Sequence, residues 1–349
     1  MNASLIKNDI DKRLPVRRDF TTICLTPTRN ESWIIARFLA AAKTWADHVV
    51  VADQGSTDGT LQTAQGTSQV HAIINESPKF DEVHRQRILL ERARTIEGRR
   101  VLIALDADVA LSSNCISSRD WERIAAAAPG TMLRFRWVNI LPGFKEAWIP
   151  PEPTAFGLID DGAPHSGRRI HNPRLPWRSD APVLDLEDIV VLHFQYVVWE
   201  RMASKQRWYQ AWEHTKHQKA GALDLFRQYN HMQGGWNRSE IHPLRPEWLS
   251  GYNSSGIDFH TLTCEPVTWW DREVARMIAE HGPEFFRRIA VWGKDWDAFA
   301  RQNGIGHKSL ADPRSPFEKF AHWTLTRTQR RRSNLGVRVF ERLLRAKGW

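Results

Sequence analysis

Three aspartates in the first third of the chain have the type and spacing to do chemistry. Asp53 closes the apolar run HVVVAD (48–53), and Asp106 and Asp108 close RRVLIALDAD (99–108). A carboxylate at the tip of a buried strand is held in place by that strand. A ligand meeting it does not have to order a flexible side chain. Two acids one residue apart reach toward one spot when the strand ends in a turn. Mg²⁺ takes one or two such carboxylates and completes its shell with water and substrate phosphates. A cation held this way neutralises a diphosphate leaving group. Each acid also has a plainer reading. Asp106-Ala107-Asp108 alone reads as turn acids or a helix cap, and Asp53 alone as an Asx turn. The joint arrangement is more specific, because acids end two strands and Ser56-Thr57-Asp58-Gly59-Thr60 follows the first with capping chemistry.

The elements that must position these acids alternate. TTICLTP (21–27), HVVVAD, VHAIIN (70–75) and RRVLIALDAD are short, apolar and β-prone. Between them, NESWIIARFLAAAKTWA (30–46), TDGTLQTAQ (57–65) and DEVHRQRILLERART (81–95) read as helices. The first has Trp33, Ile34, Phe38, Leu39 and Ala42 at helical spacing, with Asn30 and Ser32 as capping residues at its start. This alternation predicts an α/β fold with a mostly parallel sheet sandwiched by helices. Ligands of such sheets bind outside the carboxyl ends of the strands, where all three acids fall. A dinucleotide-binding domain would carry Gly-x-Gly-x-x-Gly after its first strand. Thr26-Pro27-Thr28-Arg29-Asn30-Glu31-Ser32 stands there instead, and no P-loop lysine motif occurs.

Further on, TMLRFRWVNI (131–140) and DIVVLHFQYV (188–197) read as β, separated by a Pro/Gly-rich loop from Leu141 to Pro182. After about residue 199 the pattern is helical. The 42% hydrophobic and 26% charged composition suits a soluble globular protein. No stretch approaches the roughly 18 apolar residues of a membrane span, and residues 1–19 read as a loose leader without a secretory signal. Cys24, Cys115 and Cys264 lie far apart and read as reduced thiols of a cytoplasmic protein. The net charge of +9 makes an acidic partner plausible, and much of the excess lies after Arg327. Seventeen tryptophans, most of them after residue 120, suit cores, stacking sites and membrane interfaces.

Two segments carry a resemblance. CLTPTRNESWIIARFLAAAKTWADHVVVADQGSTDGT followed by HRQRILLERARTIEGRRVLIALDADV resembles the family 2 glycosyltransferases of the GT-A fold, over about residues 20 to 112. The match consists of an Asn-Glu pair after the first strand, an Asp-rich Gly-Ser-x-Asp-Gly-Thr run and an Asp-x-Asp, in that order. One departure is Gln54, where the family commonly has a second acid. The resemblance implies a GT-A catalytic domain over 20–200, with a nucleotide-binding half over 20–112 and an acceptor half over 113–200. A helical, Trp-rich extension follows over 201–349. It also implies that Thr26, Pro27 and Glu31 line the nucleotide pocket, that Asp53 accepts a hydrogen bond from the base, typically uracil, and that Asp106 contacts the ribose. Asp108 would bind Mg²⁺ or Mn²⁺ bridging the diphosphate. Asp58 reads as a cap. Arg85 or Arg87 would face the nucleotide, or be a solvated helix charge.

Inverting transfer needs a general base for the acceptor hydroxyl. The candidates are Asp160 and Asp161 in FGLIDDGAP and Glu187 and Asp188 in LDLEDIVV, with Asp161 favoured because its Gly/Pro-rich loop can reach over the sheet edge. His193 ends an apolar strand and would ligate the metal or pair with phosphate, against a structural role. Arg169, His171, Arg174, Lys205 and Arg207 could clamp a diphosphate or an anionic acceptor, against a solvated basic surface. In the tail, Val339, Phe340, Leu343 and Leu344 have helical spacing among Arg338, Arg342, Arg345 and Lys347. That helix would lie on an anionic membrane beside a lipid-linked acceptor, or pack onto the catalytic domain. The expected partners are a nucleotide-sugar donor and a carbohydrate or lipid-linked acceptor. A sugar-nucleotidyltransferase would show a Gly-rich, basic signature at its first strand. A nucleic-acid-binding module would not place acids at three strand-end positions, which repel a polyanion.

Overall fold

The computed structural model describes residues 19–77, 81–165, 174–216, 220–232, 238–306 and 309–349. In chain order the first elements are β1 (Thr21–Thr28), α1 (Ile35–Ala42), β2 (His48–Asp53), α2 (Thr60–Gln65), β3 (Val70–Ile74), α3 (Glu82–Arg94), β4 (Arg100–Ala104), β5 (Val109–Leu111) and α4 (Asp120–Ala126). Then come β6 (Met132–Ile140), β7 (Glu146–Trp148), β8 (Thr154–Ile159), β9 (Val183–His193), α5 (Trp199–Lys216), α6 (Ala222–Tyr229) and β10 (Ile241–Pro243). The last are α7 (Glu247–Ser254), α8 (Trp269–His281), α9 (Trp296–Asn303), α10 (Pro316–Arg327) and α11 (Leu335–Ala346). They form two compact units: one of residues 1–138, 150–193 and 245–259, the other of 139–149, 194–244 and 260–349. The sequence suggested one division near residue 200. The chain in fact crosses between units several times.

The first unit holds an α/β layer. Its sheet runs β6-β8-β4-β1-β2-β3, with β9 pairing β6 and β5. β4, β1, β2 and β3 are parallel. β8 and β6 are antiparallel to their neighbours, so antiparallel strands extend the parallel group and the sheet is mixed. The reason is the connection: no crossover helix lies between β6 and β8, and without one two strands return antiparallel. β8, TAFGLI, sits inside the stretch that its prolines and glycines marked as loop. Gly157 of β8 is required by close approach, since a Cβ there would lie 2.9 Å from Leu133 of β6.

One face of this sheet packs Ile23, Leu25, Val50, Ala52, Leu102 and Ala104 against Leu89, Leu90 and Ala93 of α3. Helix α3 begins as its sequence suggests, with Asp81 capping the His84 amide. Helix α1 does not. It starts at Ile35 with no side-chain cap, because Asn30 and Ser32 are used elsewhere. The Asn30 side-chain oxygen accepts the Thr57 amide at 2.7 Å, and the Ser32 amide donates to Asp58 at 2.9 Å. Asp58 also accepts from the Thr60 amide and hydroxyl. Burial would raise the Asp58 pKa, but these hydrogen bonds hold it below the ordinary value. Segment 245–259 closes the unit: the Tyr252 hydroxyl donates to Leu111 O at 2.6 Å and Arg37 reaches Asp258 O.

The second unit is helical and aromatic. Tyr209 stacks on Tyr229 with centroids 5.4 Å apart, and Trp208 meets Trp269 edge-on. Arg207 and Lys294 both reach the buried Asp271, at 2.9 and 2.6 Å. The two cations keep the Asp271 pKa low although burial would raise it. Cys24, Cys115 and Cys264 are free thiols, and burial pushes the Cys24 pKa up. Among the described residues, no helix is long and apolar enough to cross a membrane.

Candidate functional site

Strand β4 stops at Ala104, earlier than its apolar run suggests. The Leu105 amide still bonds Leu25 O, and the Val109 amide then bonds Asp106 O at 3.0 Å to close a turn. Asp106 and Asp108 thus stand in the turn between β4 and β5, at the carboxyl edge of the parallel strands.

Four further side chains meet them there. Arg174 donates to Asp106, and its guanidinium lies over the Phe156 ring, 4.9 Å from the centroid. Phe156 is on β8, at the level of the end of β4 because Ile103 pairs with Gly157. Trp137 of β6 meets Phe156 edge-on at 5.7 Å and stacks on His193 at 5.2 Å. His193 ends β9 directly opposite Val109 of β5, which brings its Nε2 to 3.8 Å from Asp108 Oδ2. The side chains of Asp108 and His193 are only 4% and 7% exposed. Burial would lower the Arg174 pKa, but Asp106 raises it, helped by Glu82 in the first turn of α3 and by Asp108. The cluster is therefore a closed circuit of Asp106, Arg174, Phe156, Trp137, His193 and Asp108, built from five separate stretches of chain.

This donor set suits a hard cation with open coordination positions. Among the described residues, no three His, Cys, Asp or Glu side chains group as a metal cage. Mg²⁺ or Mn²⁺ would need only one or two carboxylates, with a substrate diphosphate supplying the rest.

Other expected site residues are placed differently. Asp53 is wholly buried. Its Oδ1 accepts from the Thr28 and Ser56 hydroxyls, and its Oδ2 from the Ser56 amide at 2.9 Å. This is the Asx-type turn and not an open carboxylate facing a base. Asp53 ends β2 and pairs with Thr28 of β1, whereas Asp106 lies in the turn beyond β4. Thr26 is wholly buried and Pro27 half-buried. Glu31 is held by the Trp33 indole N–H at 2.7 Å. Arg87 is exposed, pairs with Glu91 at 3.6 Å, and lines an open depression with Glu76, Asp81 and His84. Its position is that of a solvated helix charge. Arg85 is less exposed and lies 3.9 Å from Glu82.

Asp161 is at the wrong end of the sheet. β8 runs antiparallel to β4, so its exit meets the entry of β4, where the Asp160 amide bonds Arg100 O. Six residues separate Arg100 from Asp106, about 20 Å of strand. Asp160 itself is structural. Arg94 and Arg100 grip it at 2.8 and 3.0 Å and hold its pKa down against burial. Glu187 and Asp188 lie about 17 Å back along β9 from His193. There, Asp120 accepts the backbone N–H groups of Glu187, Asp188 and Ile189. Lys205 and Arg207 belong to the second unit, and Arg169 and His171 lie outside the described residues. Trp137 and Phe156 were missed by sequence reasoning. Trp137 lies within β6, which the sequence showed as a β-prone run, and Phe156 within β8, in a stretch read as loop.

The second unit has a cavity of about 320 Å³, walled by Trp199, Tyr229, Trp292 and Trp323 with Gln206 and Lys319. Aromatic faces with amide and ammonium groups suit a polar, ring-shaped ligand.

No protein-family description matches the sequence, and no curated protein matches it. Among solved structures, the crystal structure of HddC from Yersinia pseudotuberculosis aligns over 50% of this chain and 93% of its own, at 8% identity and a TM-score of 0.30. A superposition that loose carries no argument about function.

Proposed function

We propose that the chain is a glycosyltransferase that moves a sugar from a nucleoside diphosphate donor, UDP-linked in the first instance, to a carbohydrate or lipid-linked acceptor. The observation that carries this reading is the cluster at the carboxyl edge. Two turn aspartates, a strand-end histidine and a half-buried arginine gather where α/β sheets bind ligands. The resemblance of residues 20–112 to family 2 enzymes of the GT-A fold supports it.

In this reading Asp108 would hold the cation, with His193 as its neighbour on the strand side. A bound Mg²⁺ or Mn²⁺ neutralises the charge that develops on the departing diphosphate. Arg174 pairs with Asp106 and orients it toward the ribose. Trp137 and Phe156 wall one side of the cluster with apolar surface, which lowers the local dielectric and strengthens each charge interaction. Asp53 shapes the turn at the nucleotide end without touching the base.

Calorimetric titration of UDP with and without Mg²⁺ or Mn²⁺ tests the site. Binding is expected to require the cation. Equal UDP affinity with and without metal, or no UDP binding in either condition, rules out the reading. His193→Ala is expected to weaken metal-dependent UDP binding by about 10- to 100-fold, the usual effect of removing a group that supports a metal site. Thermal unfolding of the variant separates that loss from misfolding.

A further inference from the structure

We propose that the outer face of α10 and α11 docks on an anionic lipid bilayer. Ten large apolar side chains are exposed among the described residues, and six of them stand on these two helices. They are Phe317, Phe320 and Trp323 on α10, and Leu335, Val339 and Leu343 on α11. The two sets are linked: Phe320 lies 6.0 Å from Trp323 and meets Phe340 of α11 edge-on at 6.1 Å.

Helix α11 has two apolar stripes. Val337 and Leu344 face inward and are buried. Leu335, Val339 and Leu343 recur every fourth residue on the outer side, with Leu335 74% exposed. The inner stripe is enough to attach the helix, since Glu341 also bridges Arg227 at 2.6 Å and Arg345 bridges Asp224 at 2.6 Å. Packing within the unit therefore does not explain the outer stripe.

Charge identifies what covers it. Residues 316–349 hold nine Lys and Arg against two Glu, a net +7 of the chain's total +9. Arg338 and Arg342 flank the outer stripe on one side and Lys347 on the other. Arg327 lies over the Trp323 ring at 4.2 Å and Lys347 over Phe317 at 5.5 Å. Apolar and aromatic side chains rimmed by cations match the boundary between acyl chains and anionic headgroups. A second copy of the chain would bring like charge against like. The inference stands independently of the strand-end site.

The test is co-sedimentation of the full chain with phosphatidylcholine vesicles, with and without about 30% phosphatidylglycerol. Binding is expected only with the anionic lipid. Val339→Glu with Leu343→Glu is expected to lower the partition coefficient at least about tenfold, and Arg338→Glu with Arg342→Glu by a similar factor. Thermal unfolding should not change, because all four side chains point to solvent. Failure to bind anionic vesicles overturns the proposal. So does binding that Val339→Glu with Leu343→Glu leaves intact, or a dimer in light scattering that the same pair dissociates.

Discussion

Asp108→Asn is expected to reduce sugar transfer by about three orders of magnitude while leaving the fold intact. The variant keeps the volume of a side chain that is 4% exposed and removes its charge. In the proposed site that charge anchors the cation facing the leaving diphosphate. Such a cation contributes several kcal/mol of transition-state stabilisation, and each 1.36 kcal/mol is tenfold in rate. Asp161→Asn is the control. About 20 Å of strand separates its end of the sheet from the cluster, so its rate should stay within about threefold of the unmutated chain. Donor hydrolysis or transfer, assayed alongside thermal unfolding, reads both. If Asp108→Asn retains near-full rate, or Asp161→Asn proves the inactive one, the carboxyl-edge cluster is not the catalytic centre.

Lowering the pH from about 6.5 to 4 is expected to remove about 3 kcal/mol of stability through His322 alone. Its imidazole is 6% exposed and stacks on Phe226. Nε2–H donates to Arg288 O at 3.0 Å, while Arg314 donates to Nδ1 at 3.0 Å. Nδ1 facing a guanidinium donor leaves no place for a second proton. Burial, with Arg314 assisting, lowers its pKa from 6.5 to about 4. Between those values the unfolded chain binds a proton that the folded chain refuses, so stability falls as pH falls, at about 1.36 kcal/mol per pH unit. Below about pH 4 both states are protonated and the loss stops. His71, His214 and His231 are shifted in the same direction, mainly by burial, and add to the slope. The depressed carboxylates Asp160 and Asp271 act in a lower window. Their stabilisation is present above their unfolded pKa, near 3.9, and is lost as pH falls through the folded values. Urea denaturation at pH 7 and pH 4.5 measures the effect. His322→Gln should show a shallower pH slope. An unchanged slope would mean that His322 is not a protonation site of unfolding.

The alternation of apolar runs and helical spacing in the first 110 residues translated almost directly into elements. β2 spans His48–Asp53, the limits its apolar run suggests, and α3 falls within one residue of its expected ends. A buried parallel strand announces itself as an unbroken apolar run, and a long helix by its period. β8 did not announce itself, because six residues between prolines carry too little pattern. Helix α1 began late because its capping residues were taken by a neighbouring loop, a competition invisible along the chain.

The sequence by itself determined that Asp106 and Asp108 would stand at the end of a buried strand, since local apolarity and turn chemistry are written in consecutive residues. It also determined that the positive charge would concentrate in the tail. Only the tertiary structure decided which groups meet those acids. His193 reaches Asp108 because β9 pairs antiparallel with β5, and Phe156 and Trp137 reach the same edge through the register of β8 and β6. The same reversal carried Asp161 to the far edge and left Asp160 between two arginines. Strand direction and register depend on contacts between residues distant in the chain, and a one-residue change in register turns a side chain to the other face. Composition and spacing therefore specify what a strand is made of, while pairing specifies what its ends can touch.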